Sequence, residues 1–477
     1  MLFNSFEFLL FFPIVCVIYW LLPARFRNTF LLIASYYFYL SWKAIYGLLI
    51  LFVSLVTWGG TRFFVVNKQE KNKKIILISS ILIVLGVLFV FKYANFLIDT
   101  VNDFFLLFHV RMQIPELYLL LPVGISFFTF QTIGYVIDVY RGDVKAEKDF
   151  FTYALFVSFF PQLVAGPIER ARNLLPQFHK VHYFSTSQAV KGCRLILWGY
   201  FMKVVISDRL AVYVDSVYNN VSHHTGASLI LASVLFAFQI YCDFGGYSNI
   251  AIGCAKIMGF NLMMNFKRPY LAVSVADFWR RWHISLSTWF KDYVYIPLGG
   301  NRCSKNRHYW NLLVTFIVSG IWHGANWTFL IWGGLNGLFQ IVGKVFTPVR
   351  NKVLQNLRIS ECSLLVKICD VVVTFIFITF AWIFFRANNV NDAFLVVKRI
   401  FTVPGKLFTN NIDSLVYGIG FVVLLVISDV LQEKNEGRHV LLDNKSLFVR
   451  YISYIGLTII IIAFGVFDSA QFIYFQF

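Results

Sequence analysis

Long apolar runs separated by short polar turns dominate the chain from one end to the other. Because a helix that crosses the hydrocarbon core of a bilayer needs about 20 mainly apolar residues, the pattern predicts about eleven to thirteen membrane-spanning helices. The clear predicted spans are 5–22, 28–41, 44–64, 75–95, 118–138, 190–210, 226–258, 310–343, 365–386, 412–431 and 448–467.

Other segments are apolar but too short or too mixed to read as simple spans, and they predict re-entrant or interfacial helices. Two longer stretches of the middle third, 155–180 and 260–310, mix Pro, Gly, Arg, Asp and Trp into apolar sequence. Irregular backbone at membrane depth survives only where it is buried in protein or lines a wet cavity. We therefore expect these stretches to build a funnel or chamber. The short or mixed segments lie near 96–110, 150–165, 271–298 and 389–402.

The predicted architecture is an all-α polytopic membrane protein with a single membrane domain over 1–477. A core at about 118–345 is expected between N-terminal helices 1–117 and C-terminal helices 346–477, since no long repeat or soluble appended segment interrupts the pattern. Met1 to Leu22 lacks a basic n-region and a small-residue cleavage site, which predicts a retained first helix.

Composition supports the same class. Of 477 residues, 58% are hydrophobic, 19% aromatic and 14% charged, and the mean hydropathy is +0.68. A soluble domain carries about 25% charged residues. The seven cysteines are scattered without CxxC or metal-type spacing, so the sequence supports neither a disulfide framework nor a metal site.

The net charge of +18 does not indicate a nucleic-acid partner, because the basic residues are spread through short loops rather than gathered in one block. Lys and Arg concentrate in cytoplasmic loops of membrane proteins, and anionic lipid headgroups are expected partners there. The loop at 41–43 carries little charge, which predicts an N-terminus outside the cytoplasm. The basic residues that set this orientation are Arg25, Arg27, Arg62, Lys68, Lys71, Lys73, Lys74, Arg141, Lys145 and Lys148.

Two histidines in apolar surroundings are the candidate catalytic residues. His323 follows Trp322 in an apolar run, and His283 lies upstream beside Trp282. A neutral imidazole avoids the cost of a buried charge, about 2.5–3.5 kcal/mol or more at a helix centre, and accepts a proton near pH 7. One imidazole would take a proton from an attacking hydroxyl while the other positions a reacting group. The alternative is that each is a packed histidine bonded to a neighbouring carbonyl. Asn326, three residues beyond His323, is expected to share its helix face and orient it.

A polar block surrounds His283. It predicts a cationic mouth that binds the phosphates of an activated acyl donor, for which Arg offers bidentate geometry. The alternative is an ordinary cytoplasmic loop, whose Lys and Arg residues reflect only the excess of basic residues in such loops. The block contains Asp277, Arg280, Arg281, Lys291, Asp292 and Arg302, with the hydroxyl groups of Ser285, Ser287 and Thr288.

Two further polar sites interrupt apolar sequence. Asp243, in Asp243-Phe-Gly-Gly-Tyr-Ser248, is expected to pair with an arginine of the polar block. Pro161 and Pro167 bracket a glycine and predict a helix break with a re-entrant turn. Glu169 and Arg170 at its mouth are expected to form a salt bridge rather than a catalytic pair.

Together these segments resemble the membrane-bound O-acyltransferase family, in its bacterial branch similar to alginate O-acetyltransferases. The resemblance covers most of the chain and is most specific in the histidine-bearing pieces. The matching pieces are Phe159-Phe-Pro-Gln-Leu-Val-Ala-Gly-Pro-Ile168, Asp243-Phe-Gly-Gly-Tyr-Ser248, Phe278-Trp-Arg-Arg-Trp-His-Ile-Ser-Leu-Ser-Thr-Trp-Phe290, Tyr295-Ile-Pro-Leu-Gly-Gly300 and Trp322-His-Gly324.

The resemblance implies a shell of helices around a central tunnel between the two membrane faces. It implies that His323 is catalytic and that His283 assists it. It also implies acetyl transfer from a cytoplasmic thioester, acetyl-CoA, through the bacterial inner membrane to hydroxyls of an exported or envelope polysaccharide. A periplasmic acetyltransferase- or esterase-like partner is expected to complete the transfer. The candidate substrate- and donor-binding residues are Arg280, Arg281, Trp282, Ser287, Asn326 and Asp243.

Two other functions stay open at the level of sequence. A D-alanyltransferase of teichoic acid would take its acyl group from a carrier protein, which requires a docking surface on the cytoplasmic face. A transporter or flippase would use the histidines as proton relays, although the internal repeats on which transporters are often built are not evident.

Overall fold

The computed structural model describes residues 1–67, 69–110, 113–164, 166–409, 412–467 and 473. Within these ranges the regular elements are helices and no strand occurs, which confirms the predicted all-α class. Lys68, one of the basic residues used to orient the chain, lies outside the described residues.

The helices follow the apolar runs, and polar residues lie at the boundaries of many of them. Ser5 caps α1 by accepting from the Phe8 amide, and Asp149 caps α7 by accepting from the Phe151 and Thr152 amides. In chain order the helices are α1 Phe6–Leu21, α2 Ala24–Leu40, α3 Tyr46–Val66, α4 Glu70–Lys92, α5 Ala94–Leu107, α6 Ile125–Arg141, α7 Phe150–Ser158, α8 Phe160–Leu163, α9 Ala171–Phe178, α10 Thr186–Tyr200, α11 Asp208–Tyr218, α12 Gly226–Ile257, α13 Val275–Arg281, α14 Ile284–Phe290, α15 Lys305–His323, α16 Trp327–Asn356, α17 Leu364–Arg386, α18 Val390–Thr402, α19 Ile412–Lys434 and α20 Leu447–Phe464.

The chain forms two compact units. The first contains Met1–Ile196 and Ser248–Met263, and the second contains Leu197–Tyr247 and Met264–Phe477. Two π-helical stretches lie in the second unit, Phe201–Ser207 between α10 and α11 and Lys291–Tyr295 after α14. π-Helical stretches are rare in proteins, and those that occur are often found at functional sites.

Seven of the described helices are long and apolar enough to cross a bilayer: α3, α4, α12, α16, α17, α19 and α20. The predicted spans at 5–22, 28–41 and 118–138 correspond to α1, α2 and α6, of 16, 17 and 17 residues. Helix α6 begins at Ile125, seven residues later than predicted. The protein is therefore a multi-pass membrane protein.

The predicted span at 310–343 is wrong as a single helix, because the chain breaks between α15 and α16. Gly324 is extended, with φ −163° and ψ 155°, and ends α15 at His323. Asn326 caps α16 by accepting from the Thr328 amide at 3.0 Å. His323 and Asn326 consequently do not share a helix face, contrary to prediction.

Small residues let α15 and α16 pack with their backbones in contact. A methyl group added at Gly320 would overlap the Phe329 carbonyl oxygen, and one at Gly333 would overlap that of Phe316. The hairpin therefore fixes where α15 ends, and with it the position of His323.

The predicted break around Pro161 and Pro167 is confirmed, since α8 ends at Leu163 and α9 begins at Ala171. Glu169 in this turn is buried and accepts hydrogen bonds from the Met263 amide and from Asn173 Nδ2. Burial raises the pKa of Glu169 to about 7.

Candidate active site

His323 is the last residue of α15 and is 2% exposed. Aromatic rings pack around its imidazole nearly edge to face: Trp322 and Trp332 each at 4.9 Å between ring centroids, and Phe385 at 5.3 Å. Trp332 in turn stacks on Trp382 at 5.7 Å. The imidazole of His323 is thus enclosed by aromatic side chains.

His283 is fully buried, and its backbone is left-handed, with φ 42° and ψ 55°, just before α14 begins. Non-glycine residues rarely adopt this conformation, which costs of order 1–3 kcal/mol and clusters at functional sites. Burial lowers the pKa of His283 to about 3, so its imidazole is neutral at physiological pH.

A hydrogen-bond network around Asn265 fixes the tautomer of His283. The Ser285 amide donates to Asn265 Oδ1 at 3.3 Å, and Ser285 Oγ donates to the same oxygen at 2.9 Å. Because this atom is an acceptor, His283 Nδ1, 3.1 Å away, must carry the proton. The lone pair is thereby assigned to Nε2.

One indole lies next to both candidate catalytic histidines. The Trp322 ring is 4.9 Å from the His323 ring and 6.1 Å from the His283 ring, at interplanar angles of 81° and 65°. Phe244 meets the His283 ring edge to face at 4.6 Å. The second unit thus brings together the two histidines that the sequence singled out.

A cavity of about 320 Å³ is lined by chain neighbours of both histidines, though by neither histidine itself. Ile284, directly after His283, and Ser319, four residues before His323 on α15, both line it. The predicted donor-binding residues Arg280 and Ser287 line it as well, as does Lys291. Its volume lies in the range of about 300–1,000 Å³ typical of ligand sites.

Other predicted binding residues lie outside this cavity. Arg281 is held by Asp277 and Glu433, each at 2.9 Å. Trp282 is a core residue that stacks on Phe278 at 5.3 Å and contacts Trp382 at 5.1 Å. Asn326 Nδ2 donates to the Asn388 carbonyl at 3.2 Å.

Asp243 is paired, as expected, but with a different partner from the one predicted. Its Oδ1 lies 2.7 Å from Lys203 Nζ, which also contacts Asp208 at 2.7 Å. Lys203 belongs to the first π-helical stretch rather than to the polar block. These three buried side chains form an ion-pair cluster.

Sequence reasoning missed the supporting residues of the site. Asn265 was not singled out, although a polar side chain within the apolar run Leu262-Met-Met-Asn-Phe266 was a usable signal. Trp332 and Phe385 are distant in sequence from His323, and no local pattern connects them to it.

Comparison with known proteins gives this geometry a context. Residues 34–387 match the model of the membrane-bound O-acyltransferase family, MBOAT. The chain is 38% identical to the probable alginate O-acetylase AlgI of Pseudomonas aeruginosa, over 84% of this chain and 75% of that protein. The chain belongs to the membrane-bound O-acyltransferase family.

Other relatives in the family differ in the acyl group or the polymer that their names specify. The chain is 34% identical to the peptidoglycan O-acetyltransferase of Helicobacter pylori, over 85% of this chain and 80% of that protein. It is 26% identical to the teichoic acid D-alanyltransferase of Bacillus subtilis, over 59% and 72% of the two chains. As a member of the MBOAT family the protein is an O-acyltransferase, which removes the transporter hypothesis.

Proposed function

We propose that this O-acyltransferase moves acetyl groups from acetyl-CoA in the cytoplasm to hydroxyl groups of an exported or cell-envelope polysaccharide. Relatives named as an alginate O-acetylase and a peptidoglycan O-acetyltransferase match more than four fifths of the chain, and both names specify O-acetylation of a polysaccharide. The D-alanyltransferase matches a smaller part at lower identity, which favours acetyl over D-alanyl.

The observation that carries the proposal is the pair of buried histidines beside Trp322. A cavity lined by Ile284, the residue after His283, also holds the cationic side chains of Arg280 and Lys291. A neutral imidazole in an apolar pocket suits a group that must accept a proton from an alcohol at neutral pH. The cations suit a donor that carries phosphates.

The proposed reaction joins the acceptor oxygen to the acetyl carbonyl carbon. A nitrogen of His323 takes the hydroxyl proton while the oxygen attacks the thioester carbonyl. The carbon–sulfur bond then breaks, and the proton passes from His323 to the leaving thiolate, which gives a free thiol and an O-acetyl ester. His283, with its lone pair on Nε2, assists by accepting a hydrogen bond from the attacking hydroxyl or by positioning the thioester.

The cavity supplies groups for the donor. Arg280 has a side chain that is 72% exposed, and one guanidinium nitrogen lies 3.3 Å from Asp277, which leaves other donors in its fork for a phosphate. Lys291 and the hydroxyl of Ser287 line the same space. We assign the phosphates of acetyl-CoA to this cationic end and the thioester to the histidine end.

The proposed cellular setting is the bacterial inner membrane, with the N-terminus outside the cytoplasm and the donor cavity open to the cytoplasm. A periplasmic partner protein with a reactive hydroxyl would receive the acetyl group and pass it to the polysaccharide. Direct transfer to a sugar hydroxyl uses the same chemistry, because both acceptors are alcohols.

The test is acetyl transfer by the purified protein in vesicles that contain radiolabelled acetyl-CoA. We expect free thiol to appear and label to enter an added polysaccharide or partner, and His323→Ala to lower the rate by about 10²–10⁴-fold. The control is His179→Ala, since His179 is an exposed residue that pairs with Glu147.

Two outcomes would contradict the proposal. Full activity of His323→Ala, at normal expression, would remove His323 from the chemistry. Acyl transfer from a D-alanyl carrier protein but not from acetyl-CoA would show that the proposed donor is wrong.

A further inference from the structure

A second cavity, of about 520 Å³, lies in the second unit, and neither candidate catalytic histidine lines it. Its walls are α19, α20 and the turn between them, closed on one side by Trp198 and Phe201. The lining is almost entirely apolar; its polar members are Ser428, Ser453 and His439. We call it the α19–α20 groove.

The groove faces the surface that the bilayer covers. No residue of α20 is buried, although this helix is apolar enough to span a membrane. Phe448, Ile452 and Leu424 line the groove and are 74%, 52% and 50% exposed. Apolar surface of a membrane-spanning helix is in contact with acyl chains, so the groove opens sideways to lipid.

The length of the groove fits one leaflet. Along α20 the lining residues run from Phe448 to Ile460, which at about 1.5 Å per residue is roughly 18 Å. Half of a hydrocarbon core of about 30 Å is about 15 Å. A single acyl chain that enters at the turn would therefore lie along the groove and end near the bilayer midplane.

Net positive charge lies where a headgroup would lie, because residues 434–450 contain four Lys and Arg residues against Glu436 and Asp443. Arg438 and Arg450 directly adjoin the lining residues His439 and Val449, and Lys434 and Lys445 lie in the same turn region. Arg268 and Arg281 are already held by Glu433. By contrast, Lys434, Arg438 and Lys445 form no ion pair with another residue of the described part of the chain.

We propose that the α19–α20 groove is a binding site for an anionic phospholipid. One acyl chain lies between the two helices against Trp198, and the phosphate meets Arg438 in the turn and Arg450 in the first turn of α20. Basic residues beside a membrane-spanning helix attract anionic lipids of the adjoining leaflet.

Trp198 provides a reporter. The full-length protein is reconstituted in phosphatidylcholine vesicles that contain a small fraction of either phosphatidylglycerol or phosphatidylcholine with brominated acyl chains, because bromine quenches nearby indole emission. The Trp198 signal is the difference between the parent and Trp198→Phe. We expect the brominated phosphatidylglycerol to quench this signal at least twofold more than the brominated phosphatidylcholine.

Two glycines offer a matched pair of variants. Gly456 lines the groove and Gly420 lies on α19, and a Cβ atom added at either position would meet no atom within 4 Å. Gly456→Leu fills the groove and should abolish the quenching of Trp198, whereas Gly420→Leu should leave it unchanged. The double variant Arg438→Gln/Arg450→Gln leaves the groove intact and should remove the preference for phosphatidylglycerol.

Several results would overturn the proposal. Equal quenching by the two brominated lipids would indicate ordinary bilayer contact, and unchanged quenching in Gly456→Leu would place the lipid elsewhere. If Gly456→Leu does not fold, as judged by gel filtration, the arginine double variant decides alone, and an unchanged lipid preference in it refutes the site. Acetyl transfer is not part of this readout, so the result is independent of the proposed function.

Discussion

At the scale of single residues, His283 is held in place by hydrogen bonds rather than by its local sequence. Its left-handed backbone directs the ring towards Phe244, and Asn265 accepts from Nδ1 and from two groups of Ser285. Asn265 therefore acts as a positioning residue, since it sets which nitrogen of His283 carries the lone pair.

The substitution Asn265→Asp tests this role. Aspartate keeps an oxygen acceptor for His283 and Ser285 but places a negative charge beside the imidazole, which raises the pKa of His283 from about 3 by roughly 1–3 units. His283 would then become protonated as the pH falls through about 4 to 6, and the lone pair on Nε2 would be lost. We expect kcat/KM for acetyl transfer by the variant to fall about tenfold per pH unit below the new pKa of His283. In the parent, His283 should cause no such acidic decline over this pH range.

The control is Asn311→Asp, which adds a carboxylate at another fully buried asparagine of the second unit. It should lower stability without producing the acidic decline in kcat/KM. Identical pH profiles for Asn265→Asp and the parent would show that Asn265 has only a structural role.

At the scale of elements, the hairpin of α15 and α16 decides where His323 lies. Gly320 and Gly333 let the two helices touch, and the break at Gly324 ends α15 at the histidine. A helix that continued through this point would rotate the following residues by about 100° each and would leave Asn326, not the α16 residue Trp332, beside His323.

We expect Gly320→Ala to destabilise the protein by about 1–3 kcal/mol, because its methyl group forces α15 away from the Phe329 carbonyl. Acetyl transfer should fall as well, since the shift moves His323. The matched control is Gly334→Ala, because a Cβ there meets no atom within 4 Å. Thermal unfolding and the transfer rate of both variants check this, and equal behaviour of the two would contradict the packing argument.

At the scale of the whole molecule, charge asymmetry predicts the orientation on which the proposed direction of transfer depends. Helix α3 is a clear span, with few charges before it and the basic residues Lys71, Lys73 and Lys74 after it. The side that carries these lysines is expected to be cytoplasmic.

Cysteines placed at the two ends of α3 test this orientation. Ala44 and Gln69 are exposed and flank the span, so they must lie on opposite sides of the membrane. In a chain whose exposed native cysteines are replaced by Ser, a membrane-impermeant maleimide should label Ala44→Cys in intact cells. It should label Gln69→Cys only after permeabilisation. The opposite pattern would place the N-terminus in the cytoplasm and reverse the proposed direction.

The sequence by itself determined the class of the protein, most helices and the candidate histidines. Hydropathy and helix-breaking residues can be read from one continuous segment of the chain. Local sequence therefore predicted the break near Pro161 and the helices around 46–66, 226–257 and 364–386. The motifs around His283 and His323 were sufficient to indicate the family, which the comparisons then confirmed.

Only the tertiary structure decided how those residues meet. The pairing of Asp243 with Lys203, the end of α15 at His323 and the contact of Asn265 with His283 depend on packing between segments that are distant along the chain. Such contacts are set by close packing and by the need to satisfy buried polar groups, neither of which leaves a periodic signal in the sequence. For the same reason the sequence was enough to single out His283 and His323 as candidates. Only the tertiary structure shows that the Trp322 indole lies beside both of them.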